Sequence, residues 1–134
     1  MMHAPIVRAA APARLEGLVT AAARCWRSAR DKGAPAPARL YALLSPDHWE
    51  MLVPALDSLM TLYEGALLRP VTTGTGAEPS QDEDRLARLL MGRPAPDEEG
   101  IACPPGLERA FTCALQTTRV MIALVMSAPI GKQA

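Results

Sequence analysis

Two histidines and three cysteines are the side chains of this 134-residue chain best suited to metal binding or nucleophilic catalysis. A zinc site needs several such ligands at close spacing, and a nucleophilic cysteine needs a base beside it. The five residues are instead scattered, at His3, Cys25, His48, Cys103 and Cys113, with no Cys-x-x-Cys pair. We therefore expect reduced thiols, no metal site and no cofactor, and we favour a protein that is not an enzyme.

The aromatic residues give the best case for a small-molecule site. They recur at the spacing of a helical core, where such residues usually serve only for packing, but in a bundle they could also line a pocket between helices. A histidine or a thiol would then be the polar group of the pocket. This hypothetical ligand pocket comprises Trp26, His48, Trp49, Tyr63, Phe111 and Cys113.

Carboxylates and a glycine-containing loop give weaker signals. Asp57 and Glu64 recur on one side of a predicted helix, a pattern typical of a solvated border. Residues 72–80 (TTGTGAEPS) precede a helix, as a phosphate-binding loop does, but they lack Gly-Lys-Ser or Gly-Lys-Thr. The run 81–84 (QDED) that follows carries three carboxylates, which would repel phosphate. We interpret 72–80 as a flexible linker.

The charges cancel over the whole chain but not along it. Fourteen basic residues balance fourteen acidic ones, which removes the global positive field of a dedicated nucleic-acid binder. Residues 1–39 are nevertheless basic and residues 40–100 acidic. Arg24, Arg27 and Arg30 form a basic flank on the first predicted helix, which could follow a phosphate backbone. They could equally face the acidic middle of this chain or of a second copy, and we rank that reading above nucleic-acid binding.

Proline- and glycine-rich breaks at 31–38, 69–79 and 92–106 divide the sequence, and between them the apolar residues recur at helical spacing. We therefore predict an all-α protein, one helical domain over 1–134 with flexible termini at 1–11 and 129–134. The predicted bundle has four main helices and a short helical turn: 12–31, 39–44 (the turn), 46–68, 81–91 and 105–127.

Local signals set the expected helix ends. Ser45 followed by Pro46 and Asp47 predicts a helix start, and Ser80 with Glu83 matches a capping box. Pro54 removes one backbone donor inside the second main helix, so we expect a bend there, or a break that restarts the helix at Pro54.

The C-terminal helix carries the main functional expectation. Its last turns, VMIALVM at 120–126, have almost no polar side, so part of this surface must be covered by other helices or by another chain. We predict a small helical interaction protein, a homodimer that self-associates through Val120, Met121, Ala123 and Leu124, with a protein partner as a further option. The alternatives are a small-molecule-binding or enzymatic bundle and, below that, a nucleic-acid-associated regulator.

The sequence also bears on location. The N-terminal stretch is broken by Pro12 and by charge, unlike a secretory signal, and the run Val120–Met126 is far shorter than a bilayer-spanning helix. We expect a cytoplasmic protein without membrane contact. The richness in alanine, arginine and proline is typical of a GC-rich bacterial genome.

Overall fold

Five α-helices make up most of the chain. The structure is a computed structural model that describes residues 3–92 and 96–127. The helices are α1 His3–Asp31, α2 Ala36–Leu44, α3 Val53–Leu67, α4 Gln81–Leu90 and α5 Leu107–Ser127. Three short 3-10 helices join them at Ser45–Asp47, Glu50–Leu52 and Pro96–Glu99. Helices account for most of the described residues, and no strand occurs among them, which confirms the all-α prediction.

Several predicted boundaries need correction. The first helix begins at His3 rather than at residue 12, so Pro12 lies inside a run of alanines, the strongest helix formers. Thus the backbone of 3–11, expected to be flexible, is helical, whereas 129–134 lies outside the described residues. The helical turn predicted at 39–44 is a full helix, α2, because Pro35 and Pro37 suit its start.

The predicted helix 46–68 is not continuous. Ser45–Asp47 forms only a 3-10 turn, and the Ser45 hydroxyl caps nothing, so the helix start predicted at Ser45 is wrong. His48 then adopts a left-handed conformation, with φ +62°. The α-helix starts at Val53, with Pro54 in its first turn, where a missing N–H costs nothing. Of the two outcomes expected at Pro54, the restart is the one observed.

The other helix ends follow local chemistry. Gly33, at φ +69°, ends α1, with Ala34 N–H donating to Ala29 C=O at 2.8 Å and Gly33 N–H to Arg30 C=O at 3.2 Å. This pair of bonds is a Schellman motif, which satisfies carbonyls that the helix itself cannot. The capping box of α4 is confirmed in both directions: Ser80 Oγ accepts from Glu83 N–H, and the Glu83 side chain accepts from Ser80 N–H.

The helices pack in two groups around one core. α1 lies mainly against α2 and α4, and α3 lies mainly against α5. Trp26 of α1, Tyr63 of α3 and Phe111 of α5 are fully buried, and the rings of Tyr63 and Phe111 stack with centroids 5.8 Å apart. α3 and α5 are antiparallel, since Gly65 approaches Leu107 while Pro54 shares a groove with Met121. This antiparallel pair forms one outer face of the protein.

Candidate functional site

A groove of about 590 Å³ runs between α3 and α5 and opens to solvent. Its walls are apolar or hydroxylated, and no charged side chain lines it. The lining residues are Met51, Pro54, Ala55 and Ser58 from the α3 side and Ala110, Cys113, Ala114, Thr117, Thr118 and Met121 from α5. A volume of this size lies within the range of small-molecule sites in proteins.

The floor of the groove contains a buried hydroxyl. Thr118 is 0% exposed, and its Oγ1 has no hydrogen-bond partner among the described residues. Among the described residues, Glu50 Oε1 and Arg85 Nε are also buried without a hydrogen-bond partner, but neither residue lines this groove. A buried hydroxyl without a partner destabilises the fold by about 1–3 kcal/mol, so a ligand that hydrogen-bonds to Thr118 would recover part of this free energy.

An apolar ridge lies beside the groove on the outer side of α5. Val120 is 59% exposed and Leu124 is 57% exposed, and Ala123 between them is also exposed. The single charged residue from Ala110 to Ser127 is Arg119, and its guanidinium is turned away, donating to the Leu89 C=O of α4 at 2.8 and 3.2 Å. We call Val120, Ala123 and Leu124 the α5 ridge. Met121, the fourth predicted self-association residue, is half-buried and lines the groove.

Charged side chains of α3 face the opposite way, toward α1. Asp57 Oδ1 accepts from Trp26 Nε1 at 2.8 Å, and Glu64 pairs with Arg27 and accepts from Val71 N–H at 2.7 Å. These two acids were expected to form a solvated border. They instead satisfy groups on α1 and on the loop after α3, which leaves the α5 side of α3 without charge.

Two buried carboxylates at the start of α4 were not predicted from the sequence. Asp82 is 3% exposed and Glu83 is 1% exposed. Arg69 forms a two-pronged hydrogen bond to Asp82 at 2.6 and 2.9 Å, and Arg24 forms one to Glu83 at 3.0 and 3.1 Å. Burial by itself would raise the pKa of each carboxyl, but hydrogen bonds from the arginines and from backbone N–H groups outweigh it, so both pKa values lie below their usual range.

These carboxylates also hold the loop 69–80 in place. Thr72 N–H donates to Asp82 at 2.8 Å, and Gly74 N–H donates to Glu83 at 3.1 Å. Arg24 adds hydrogen bonds to the carbonyls of Gly76 and Glu78 at 2.7 and 3.1 Å. The segment interpreted as a flexible linker is therefore tied to α1 and α4 by several hydrogen bonds. A backbone held in this way has the role of a structural connection, not of a phosphate loop.

The six residues of the predicted ligand pocket do not surround one cavity. Trp26, Tyr63 and Phe111 belong to the packed core, where Tyr63 Oη donates to the Asp82 C=O at 2.8 Å. That burial raises the pKa of the Tyr63 phenol. His48 is exposed, and Trp49 is half-buried with the Arg14 guanidinium 5.7 Å from its ring centre. Of the six, Cys113 alone lines the α3–α5 groove, which the sequence did not reveal because its walls come from distant segments of small residues.

The predicted basic flank is largely occupied within the chain. Arg24 binds Glu83, and Arg27 pairs with Asp31 and Glu64. Arg30 lies over the ring of Trp26, 5.0 Å from its centre. The uneven distribution of charge along the sequence was thus a signal of contacts between the basic first helix and the acidic middle helices. An arginine that is held by a contact within the chain is less available to bind the phosphates of a nucleic acid.

Metal and thiol chemistry gain no support from the described part of the chain. No group of three or more His, Cys, Asp or Glu side chains that could hold a metal ion occurs there. All three cysteines are unpaired. Burial raises the pKa of the thiols of Cys25 and Cys103, which lowers the fraction present as the nucleophilic thiolate.

By length and composition, α5 could also cross a bilayer. Its 21 residues contain a window with a mean hydropathy of 1.3. Core helices of soluble proteins can meet the same criterion, and five side chains of α5 are buried in this fold: Phe111, Leu115, Thr118, Ile122 and Val125.

No family model matches the chain, and comparisons with curated proteins and with solved structures found no match. The groove and the α5 ridge are therefore interpreted from their own chemistry.

Proposed function

We propose that this protein is a small helical interaction protein that associates with a second copy of itself through the α5 ridge. The observation that carries the proposal is the exposure of Val120 and Leu124 on a stretch of helix whose outer side has no charge. Two more exposed and uncharged residues, Gln116 and Thr117, extend this surface toward the start of α5. Contiguous apolar surface of this kind is typical of an interaction site.

A second copy is the occupant that fits this surface best. A surface without charge offers nothing to select an acidic or basic partner, whereas a two-fold axis brings the same ridge against itself. The large side chains of Val120 and Leu124 alternate with the small Ala123 and with Thr117, so a large residue of one copy can lie over a small residue of the other. Antiparallel pairing of two α5 helices about such an axis would bury the ridge of both copies.

The expected affinity is modest. Burying a Val or Leu side chain completely contributes about 1.5–3 kcal/mol, and these two are already nearly half covered, so each adds roughly 1 kcal/mol. Four such side chains, two from each copy, must offset the loss of translational and rotational freedom on association. These side chains together contribute only about 4 kcal/mol, so we expect a weak, reversible dimer with a dissociation constant no tighter than the millimolar range.

The test is light scattering coupled to size-exclusion chromatography over a hundredfold range of protein concentration that extends to about 1 mM, the range that the contact free energy implies. The unaltered chain should shift from monomer to dimer, and Leu124→Asp should remain monomeric, because a carboxylate would have to be desolvated in the contact. The matched control is Leu68→Asp. Leu68 is more exposed, at 75%, and lies beyond the far end of α3 from the Pro54–Met121 end of the groove, so this variant should dimerise normally.

Two results would contradict the proposal. A chain that scatters as a monomer at every concentration has no self-association to explain. Sedimentation of the monomer with phosphatidylcholine vesicles, abolished by Leu124→Asp but not by Leu68→Asp, would make the ridge a lipid-binding surface instead.

A further inference from the structure

The α3–α5 groove has two properties of a ligand site that self-association does not explain. It is an apolar trough of about 590 Å³, and the hydroxyl of Thr118 at its floor is buried without a partner among the described residues. The α5 ridge of a second copy could not satisfy that hydroxyl. Val120, Ala123 and Leu124 carry no hydrogen-bonding side-chain atoms, and none of the three lines the groove.

We propose that this groove binds an uncharged, apolar small molecule that carries one hydrogen-bonding group, and that Thr118 Oγ1 is the partner of that group. The absence of charged side chains from the lining favours a neutral ligand, since an ion would lose its hydration there without compensation. A hydroxyl can both donate and accept, so it suits an alcohol, a carbonyl or an amine N–H equally.

The groove also sets the size and the entry route of the ligand. Its volume is sufficient for a molecule of two or three rings. Met51 and Met121 belong to its lining, and their unbranched, polarisable side chains adapt to ligands of different shape. Thr118 is fully buried in the unbound protein, so a ligand reaches its hydroxyl only when neighbouring side chains of the groove move.

N-phenyl-1-naphthylamine is a suitable probe, because it is uncharged, has a single N–H and becomes fluorescent when it leaves water. Titrated with the full chain, it should show saturable binding with one site per chain. Thr118→Val removes the hydroxyl and keeps the shape, so the affinity should fall about threefold to tenfold, the effect of losing one neutral hydrogen bond. The melting temperature of this variant should stay the same or rise, because the unpartnered hydroxyl is gone. A loss of affinity therefore could not be attributed to unfolding.

Two further variants locate the probe. Thr117→Val makes the same chemical change one residue away at an exposed position of the groove, and it should alter the affinity less than twofold, within the scatter of surface substitutions. Ser58→Trp places a large side chain over the groove from the exposed side of α3 and should abolish binding while the circular dichroism spectrum is retained.

Three results would overturn the proposal. One is the absence of saturable binding, and another is binding that Thr118→Val leaves unchanged. The third is binding that survives Ser58→Trp but is lost in Leu124→Asp, since the probe would then occupy the α5 ridge. The titrations are made at protein concentrations at which the chain is monomeric, so the outcome for the groove can be separated from the outcome for the ridge.

Discussion

Replacing Glu83 with alanine removes a carboxylate that joins three parts of the chain. Its oxygens accept two hydrogen bonds from Arg24 of α1, one from Gly74 N–H in the loop and one from Ser80 N–H at the cap of α4. The side chain is completely buried, whereas that of Arg24 is about a quarter exposed. The variant therefore removes the charged partner of Arg24, which keeps its hydrogen bonds to two loop carbonyls, and leaves two backbone N–H groups without their acceptor.

The magnitude follows from these contacts. A hydrogen bond to a charged group contributes about 1.5–3 kcal/mol, and that is the share of the Arg24 contact. Each orphaned N–H costs about 1 kcal/mol, the low end of the usual range, because Gly74 and Ser80 are only half-buried and water can reach them. We expect Glu83→Ala to lower the free energy of unfolding by about 3–5 kcal/mol, a large share of the 5–15 kcal/mol of a typical domain.

Urea unfolding at pH 7, followed by far-ultraviolet circular dichroism, measures this loss. Asp84→Ala is the matched control, because it removes the next carboxylate along the same helix turn. Asp84 is half exposed and contacts Arg88 four residues away, so its loss should cost less than about 1 kcal/mol. The amide of Gly74 should also exchange its hydrogen faster in Glu83→Ala, since that bond holds the loop.

An equal loss of stability in Glu83→Ala and Asp84→Ala would refute this account of the buried carboxylate. A double-mutant cycle with Arg24→Ala tests the pairing itself. The two substitutions should be non-additive by about 1–3 kcal/mol, as expected for residues in direct contact.

Two further predictions concern acid stability and backbone strain. Asp82 and Glu83 have pKa values lowered by folding, so below pH about 4.5 the unfolded state takes up protons first, and stability falls as the pH drops through the folded values. The urea midpoint should decline from pH 5 to about pH 2.5, and an unchanged midpoint would contradict the lowered values. Leu68 adopts φ +60° at the end of α3 and is mostly exposed, so Leu68→Gly should raise the free energy of unfolding by roughly 0.5–1 kcal/mol. Leu68→Ala, which keeps a Cβ and hence the strain, should give no such gain in the same urea measurement.

Much of the fold could be predicted from short-range patterns. Gly33 ends α1, and Ser80 with Glu83 starts α4, because each of these devices acts within one helical turn. The break near Pro54 was foreseen as one of two outcomes. The helix start predicted at Ser45 was wrong. The Ser45 hydroxyl would be a capping group only if an α-helix followed, and the chain makes a 3-10 turn there instead.

The candidate site was only partly foreseeable. The apolar character of 120–126 pointed to the α5 ridge, and Val120 and Leu124 are indeed exposed. The groove was missed because its lining residues are small or flexible and come from segments far apart in sequence, so no periodic signal marks it. The prediction of an aromatic pocket overlooked that Trp26 and Tyr63 could find hydrogen-bond partners within the fold.

The sequence by itself determined the helical class, the places where most helices stop and the surplus of apolar surface on the last helix. These properties depend on spacing and on neighbours within a few residues. Only the tertiary structure decided which charges are buried and which surfaces stay uncharged. Arg24 and Glu83 lie 59 residues apart, and the free energy that makes burial of a carboxylate tolerable exists only when folding brings such partners within hydrogen-bond distance.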